Sequence, residues 1–201
     1  MRIRRDQGLI VLVAACGVLL FLLIVVFEDV VNPSLDPARH EISEYVHTPW
    51  GWLMVVGFVV WALSLLCTGI VARTRYGVDV LCITLAVAAL GMAITACFAT
   101  QTSAGRLPPG VSVSTSGRLH DIGSGLATVA LFFSALLSLR LRAGSAFRRL
   151  TVALLVLACS SDVVLVEVGG GVGGIRQRIL VLVGCAWQLA LLTLGAADGR
   201  S

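Results

Sequence analysis

Apolar residues dominate six long stretches of the chain, 8–27, 50–72, 80–99, 119–139, 150–168 and 179–197, and polar residues collect in the short segments between them. Each stretch is close to the roughly 20 apolar residues that a helix needs to cross the hydrocarbon layer. None alternates apolar and polar positions with the period of two that a barrel strand would show. Backbone N–H and C=O groups have no water to bond inside a bilayer, so a helix, which pairs them internally, is the economical form for all six. The pattern therefore predicts an all-α, polytopic membrane protein. It is expected to fold as a single domain, 1–201, built as a six-transmembrane-helix bundle.

The first stretch follows Arg2, Arg4 and Arg5, as a signal peptide would, but it runs for about twice the usual hydrophobic core of one and ends at Glu28 and Asp29 rather than at small residues. It is read as a permanent span.

Composition sharpens this picture. Residues of the AVILMFWYC set make up 58% of the chain and charged residues 13%, with a mean hydropathy of +0.97. A soluble domain carries about 25% charged residues, so a cytosolic enzyme and a nucleic-acid-binding module are both excluded as readings. The net charge of +4 rests on arginine alone, since the sequence has no lysine. The six cysteines all lie within apolar stretches and form no C-x-x-C pair, which makes them small core hydrophobes rather than a disulfide frame or a zinc knuckle.

Arginine also orients the chain. With the N-terminus inside, ten arginines fall on the cytoplasmic side and five (Arg39, Arg106, Arg118, Arg176 and Arg178) on the other. Both termini are expected on the cytoplasmic side of the membrane. The cytoplasmic connections are short and basic, suited to lipid phosphates. The outer ones, 28–49 and 100–118, are longer than ordinary connections. In the first, Asp36 before Pro37 makes an N-cap with proline at the first helical position. The stretch from there to His47 is expected to form a short extracytoplasmic interfacial helix. The glycine-rich connection before Arg176 lacks the strand-to-helix context of a nucleotide loop and is read as a tight or re-entrant turn.

Reactive groups gather on the outer side. All three histidines fall there: His40, His47 and His120. On a helix His40, Glu44 and His47 would share a face, and with His120 and Asp121 they offer enough N and O donors for a divalent cation. Asp162 stands about 18 Å into the fifth span, and an ionisable group at such depth is a functional candidate. It lies about 140° around the helix from Glu167, so the two are no obvious carboxylate dyad. A b-type haem site between helices is not indicated, because the inner half has no histidine. No G-x-S-x-G motif points to a serine hydrolase.

The stretch DPARHEISEYVHTPWGWLM, the G-x-LH that opens the fourth span and GIRQR leading into the sixth resemble the integral membrane family called domain of unknown function 998. The resemblance covers nearly the whole chain. It implies a bacterial six-helix bundle and supplies no activity, substrate or cofactor. Its recurrent positions fall here on Asp36, Ile42, Ser43, Glu44, Gly51, Trp52, Gly117, His120, Gln177 and Arg178. After the third span the family often reads like F-P-T-D, whereas Phe98 is followed here by Ala99, Thr100 and Gln101.

The leading expectation is a non-enzymatic protein whose extracytoplasmic polar pocket binds a lipid headgroup, small ligand or partner subunit, with membrane lipids as its constant partners. Ser43, Glu44, His120, Asp121, Asp162, Gln177 and Arg178 are the candidate binding residues. Arg178 would pair with an anionic group or with Glu44, and His120 would supply a switchable hydrogen bond. No cofactor is expected in this reading. An alternative is a membrane-embedded, metal-dependent lipid hydrolase, with His40, His47, His120 and Glu44 as candidate ligands of a divalent metal and Glu44 or Asp121 as the general base. A third is a proton-coupled transporter using Asp162.

Overall fold

The computed structural model describes residues 2–104, 106–168 and 171–194, with the backbone path alone for 2–6 and 166–168. Six long helices follow one another: α1 (Arg2–Val31), α2 (Trp52–Tyr76), α3 (Asp79–Cys97), α4 (Thr115–Ser138), α5 (Ser145–Val168) and α6 (Gly173–Thr193). A short 3₁₀ segment, Ile42–His47, lies between α1 and α2. Among the described residues, five helices, α1, α2, α3, α4 and α6, are long and apolar enough to cross a membrane. The chain is a helical, polytopic membrane protein. The expected end of the last span at Ala197 and the first two glycines of the α5–α6 connection lie outside the described residues, as does the side chain of Glu167.

Apolar side chains project from the outside of the bundle, among them Leu9, Leu23, Val30, Leu63, Ile83 and Leu90, as expected where the solvent is lipid. Burial in a bilayer gives no hydrophobic drive between helices, so close approach has to come from small residues and polar contacts. Gly91 of α3 sits so near α4 that a Cβ there would stand 2.6 Å from the Ala127 nitrogen, and one on Gly123 would stand 2.8 Å from the Gly91 oxygen. Helices α1, α2, α3 and α4 pack on one another in chain order; α5 rests chiefly on α6, and α4 barely touches either of them.

A polar knot holds α6 against the first half of the bundle. The buried Gln188 accepts a hydrogen bond from Trp61 Nε1 (3.1 Å) and donates to Ser64 Oγ and Thr68 Oγ1, both at 2.8 Å. Ser64 in turn donates to the Ala14 carbonyl at 2.6 Å, which brings in α1. On the other side of α6, Trp187 Nε1 donates to Ser138 Oγ of α4 at 3.1 Å.

The interfacial α-helix expected from Asp36 to His47 is replaced by a single capped turn followed by the 3₁₀ segment. The cap itself forms: the Asp36 carboxylate accepts from the Ala38 N–H at 2.9 Å, and the Asp36 carbonyl accepts from the N–H groups of Arg39 and His40. The helix then stops because α6 takes its hydrogen bonds. The Ala38 carbonyl accepts from the Ile175 N–H, and the Ile42 N–H, which would have paired with it, donates to Gln177 Oε1. The carbonyls of Pro37 and His40 accept from Arg178. A helix needs each carbonyl for the N–H four residues on; here three of them serve another element.

Candidate functional site

The connections 32–51 and 98–114 and the start of α6 converge at one end of the bundle, here the loop end. Two polar assemblies form there. The first is a latch centred on Arg178. Its Nη2 lies 2.6 Å from Asp29 Oδ1 at the end of α1 and 3.0 Å from the Tyr45 hydroxyl, and its Nε lies 3.4 Å from Asp29 Oδ2. Its Nη1 donates to the carbonyls of Pro37, His40 and Gly174. Tyr45 donates to Asp29 Oδ1 at 2.6 Å. Burial first, and then the hydrogen bond to the Asp29 carboxylate, push the Tyr45 hydroxyl well above the usual phenol range, so it stays a donor. Arg178 was expected to meet an external anion or Glu44; the side chain it meets as an ion pair is Asp29, an acid that the sequence reading treated only as the end of a span.

Glu44 is buried near this latch and is likewise engaged. Its Oε2 is 2.6 Å from His40 Nδ1 and accepts from the Ala104 N–H at 2.9 Å. The spacing of four between His40 and Glu44 therefore brings them together even without an α-helix. His47 turns away and bonds the Thr100 carbonyl through Nε2 at 2.8 Å. His120, buried at the start of α4, donates from Nδ1 to the Phe98 carbonyl at 2.7 Å. Among the described residues no group of three or more His, Cys, Asp or Glu side chains is gathered as metal ligands would be. Glu41 lies half-buried with Glu44, Arg176 and Asp121 around it. Desolvation, reinforced by the Glu44 charge, raises its carboxyl above the ordinary value.

The second assembly is a partly open cavity of about 130 Å³ lined by α2, α3, α4, α5 and α6, in the space that α4 leaves open toward α5 and α6. Its walls are apolar for most of their length, with Phe58, Leu65, Met92, Leu131, Leu154 and Val181 among them, and the indole rings of Trp61 and Trp187 contribute. Ile42 and Ser43 of the 3₁₀ segment close it at the loop end, where His120, Gln177, Thr95 and Ser124 also face it. Ser43 is 2% exposed, and its hydroxyl has no hydrogen-bond partner. A buried polar group without a partner forfeits hydration for nothing, at a cost of about 1–3 kcal/mol. Thr151, on the α5 side, is the cavity's other unpartnered hydroxyl.

The cavity's polar groups have definite remaining capacities. A carbonyl only accepts, so the bond to Phe98 makes His120 Nδ1 the donor and leaves Nε2, in the neutral ring, as an acceptor. Gln177 spends its oxygen on the Ile42 N–H, which leaves its NH₂ as a donor. Thr95 and Ser124 donate to the carbonyls of Gly91 and Asp121 within their own helices and keep acceptor capacity only.

The structure thus brings Ser43, His120 and Gln177 to one cavity and places Glu44 and Arg178 in the scaffold beside it. Asp121 is exposed. Asp162 forms an ion pair with Arg176 at 2.9 Å, both about half exposed (46% and 48%). Sequence reasoning missed Asp29 and Tyr45 as Arg178's partners, and Gln188 as the centre of a polar knot. A signal for the first was present in the acid placed directly at a span's end, and for the last in an amide set among apolar residues.

No curated protein and no solved structure matches the chain. The family model described as Protein of unknown function (DUF998) matches residues 15–194, which includes both polar assemblies. The chain belongs to that family.

Proposed function

We propose that this protein is a non-enzymatic, six-span membrane protein of the bacterial cell membrane that holds an amphipathic ligand in the cavity between α4 and the α5–α6 pair. An even number of spans puts both termini on one side, and the arginine asymmetry argues for the cytoplasm, so that the loop end faces outward. The sixth crossing is α5. Its stretch 150–168 is apolar apart from two acids, and one of these, Asp162, is paired with Arg176.

The observation that carries the reading is the buried, unpartnered Ser43 hydroxyl at the polar end of an otherwise apolar cavity. Binding sites of this kind combine apolar walls with a few placed polar groups that fix orientation. The latch holds Ser43 in place by anchoring the segment that bears it to α1 and α6.

The test uses intrinsic fluorescence of the detergent-solubilised chain. Of its four tryptophans, Trp50 and Trp52 are exposed and are changed to Phe, leaving Trp61 and Trp187 in the cavity wall. A dibromostearoyl monoglyceride is expected to quench them saturably, and Ala158→Phe, which fills the cavity from α5, to abolish that quenching. Quenching that is linear, or unchanged by Ala158→Phe, would refute the proposal.

A further inference from the structure

We infer that the ligand is a bilayer lipid with an uncharged, hydrogen-bonding headgroup, such as a hydroxyl or primary amide, and that it enters sideways between α4 and α5. This deepens the cavity-binding reading and rests on it.

The headgroup chemistry follows from what the polar end lacks as much as from what it offers. No Arg, Asp or Glu lines the cavity among the described residues. Arg178 is not free to serve a ligand, because Asp29, Tyr45 and three backbone carbonyls take up its donors. Arg176 is paired with Asp162. A phosphate or carboxylate drawn into this chamber would be desolvated without a counter-charge, which is strongly unfavourable. What remains is a matched neutral set: Ser43 can donate and accept, the Gln177 NH₂ donates, and His120 Nε2 accepts. A hydroxyl, which also donates one proton and accepts through its lone pairs, satisfies such a set.

The source of the ligand follows from the shape. By the measure in which a cavity of about 150 Å³ admits benzene, a space of about 130 Å³ suits a small headgroup and leaves the chain outside it. A second, open space of about 570 Å³ lies against the outer side of α4 and α5, bounded by Leu136, Val156, Cys159 and Val163. Phe132 and Leu155 line both spaces and stand at their junction. Val156 and Val163 are exposed on the surface that meets lipid, so the chain would lie in contact with the hydrocarbon from which it came.

The experiment compares three probes that share one dibromostearoyl chain: the monoglyceride, the free fatty acid and the lysophosphatidylglycerol, each titrated into the variant that retains Trp61 and Trp187. The monoglyceride is expected to bind about tenfold or more tightly than either anionic probe. Ser43→Ala is expected to weaken the monoglyceride by up to about tenfold, the worth of one neutral hydrogen bond, with no loss of thermal stability. Equal or tighter binding of the lysophosphatidylglycerol, lost in Ala158→Phe, would overturn the uncharged headgroup while leaving the cavity reading intact. Saturable quenching by none of the three would overturn the cavity reading itself. An unchanged monoglyceride affinity in Ser43→Ala would also overturn the headgroup assignment.

Discussion

Tyr45 and Ser43 are two residues apart, both buried, and both carry a hydroxyl, yet they belong to opposite kinds of environment. The Tyr45 hydroxyl lies between Asp29 and Arg178, in a latch whose guanidinium has all its nitrogens engaged. Ser43 lines a cavity, and its hydroxyl bonds nothing. One segment thus presents a saturated face to the scaffold and an unsaturated face to an interior space. The contrast teaches that buried polarity by itself does not mark a site; unspent hydrogen-bonding capacity does.

The comparison breaks most severely at Arg178. Arg178→Ala leaves the Asp29 carboxylate, 25% exposed, without its charge partner; removing one member of a buried pair costs about 3–5 kcal/mol, and the partial exposure here places the expected loss near the lower end, about 3 kcal/mol. A fall of several degrees in the melting temperature of the solubilised protein is the measurement. A variant as stable as the parent would mean that the latch does not hold the segment.

A matched pair of hydroxyl deletions sharpens the contrast. Tyr45→Phe removes a donor from a part-buried carboxylate and is expected to destabilise by about 1.5 kcal/mol, the lower end of the range for hydrogen bonds to charged groups. Ser43→Ala removes a group that was unsatisfied, so stability should hold or rise by up to about 1 kcal/mol. Thermal melts of the two variants side by side read the difference, and equal losses would erase the distinction between the two faces.

A smaller effect distinguishes Glu41, whose carboxyl is raised by desolvation and by Glu44. A raised folded value means that the folded state holds its proton more tightly than the unfolded state does. Its contribution is fully present below the unfolded value, about 4.3, and is lost as pH rises through the higher folded one. Melting temperature should therefore decline with pH from the ordinary carboxylate range upward, and Glu41→Gln should flatten that decline. An identical pH profile in the variant would show that Glu41 does not contribute.

The smallest change is expected at Asp162. Its pairing with Arg176 is half exposed, and such pairs are worth about 0–1 kcal/mol. Asp162→Asn should shift the melting temperature by no more than one or two degrees. A collapse of the fold would place Asp162 among the groups that hold α5 to α6.

Much of the architecture was legible in the sequence because a bilayer leaves the chain few options. Apolar runs of about 20 residues without alternation had to become helices, and the expected spans and the observed helices overlap throughout. The segment 37–47 shows where local rules stop. Asp36 and Pro37 do cap a turn, but the carbonyls needed to extend it are taken by Ile175 and Arg178, more than a hundred residues away, and no local pattern encodes that. The candidate site was legible in part. His120 stood out as a polar group at the start of a span, and Ser43 and Gln177 as positions of the family resemblance, whereas the chamber that joins them depends on α4 standing apart from α5, and the spacing of helices is not written in any one of them. Arg178 was expected to pair with an anionic group, and it does pair with a carboxylate, but with one of this chain that the sequence did not single out, because Asp29 lies 149 residues away.

The polar knot around Gln188 bears on how the protein is made. Helices α1 to α4 meet their neighbours in chain order and can associate as each leaves the ribosome. By contrast, Ser64 and Thr68 must wait for an amide 124 and 120 residues downstream, and Asp29 for a guanidinium 149 residues downstream. Until α6 is inserted, the Trp61 indole N–H lacks its acceptor within an apolar medium, and Asp29 lacks its charge partner at the loop end. Insertion of α6 is thus the decisive joining step, and a nascent chain stalled before it would present a membrane quality-control protease with an incomplete interior.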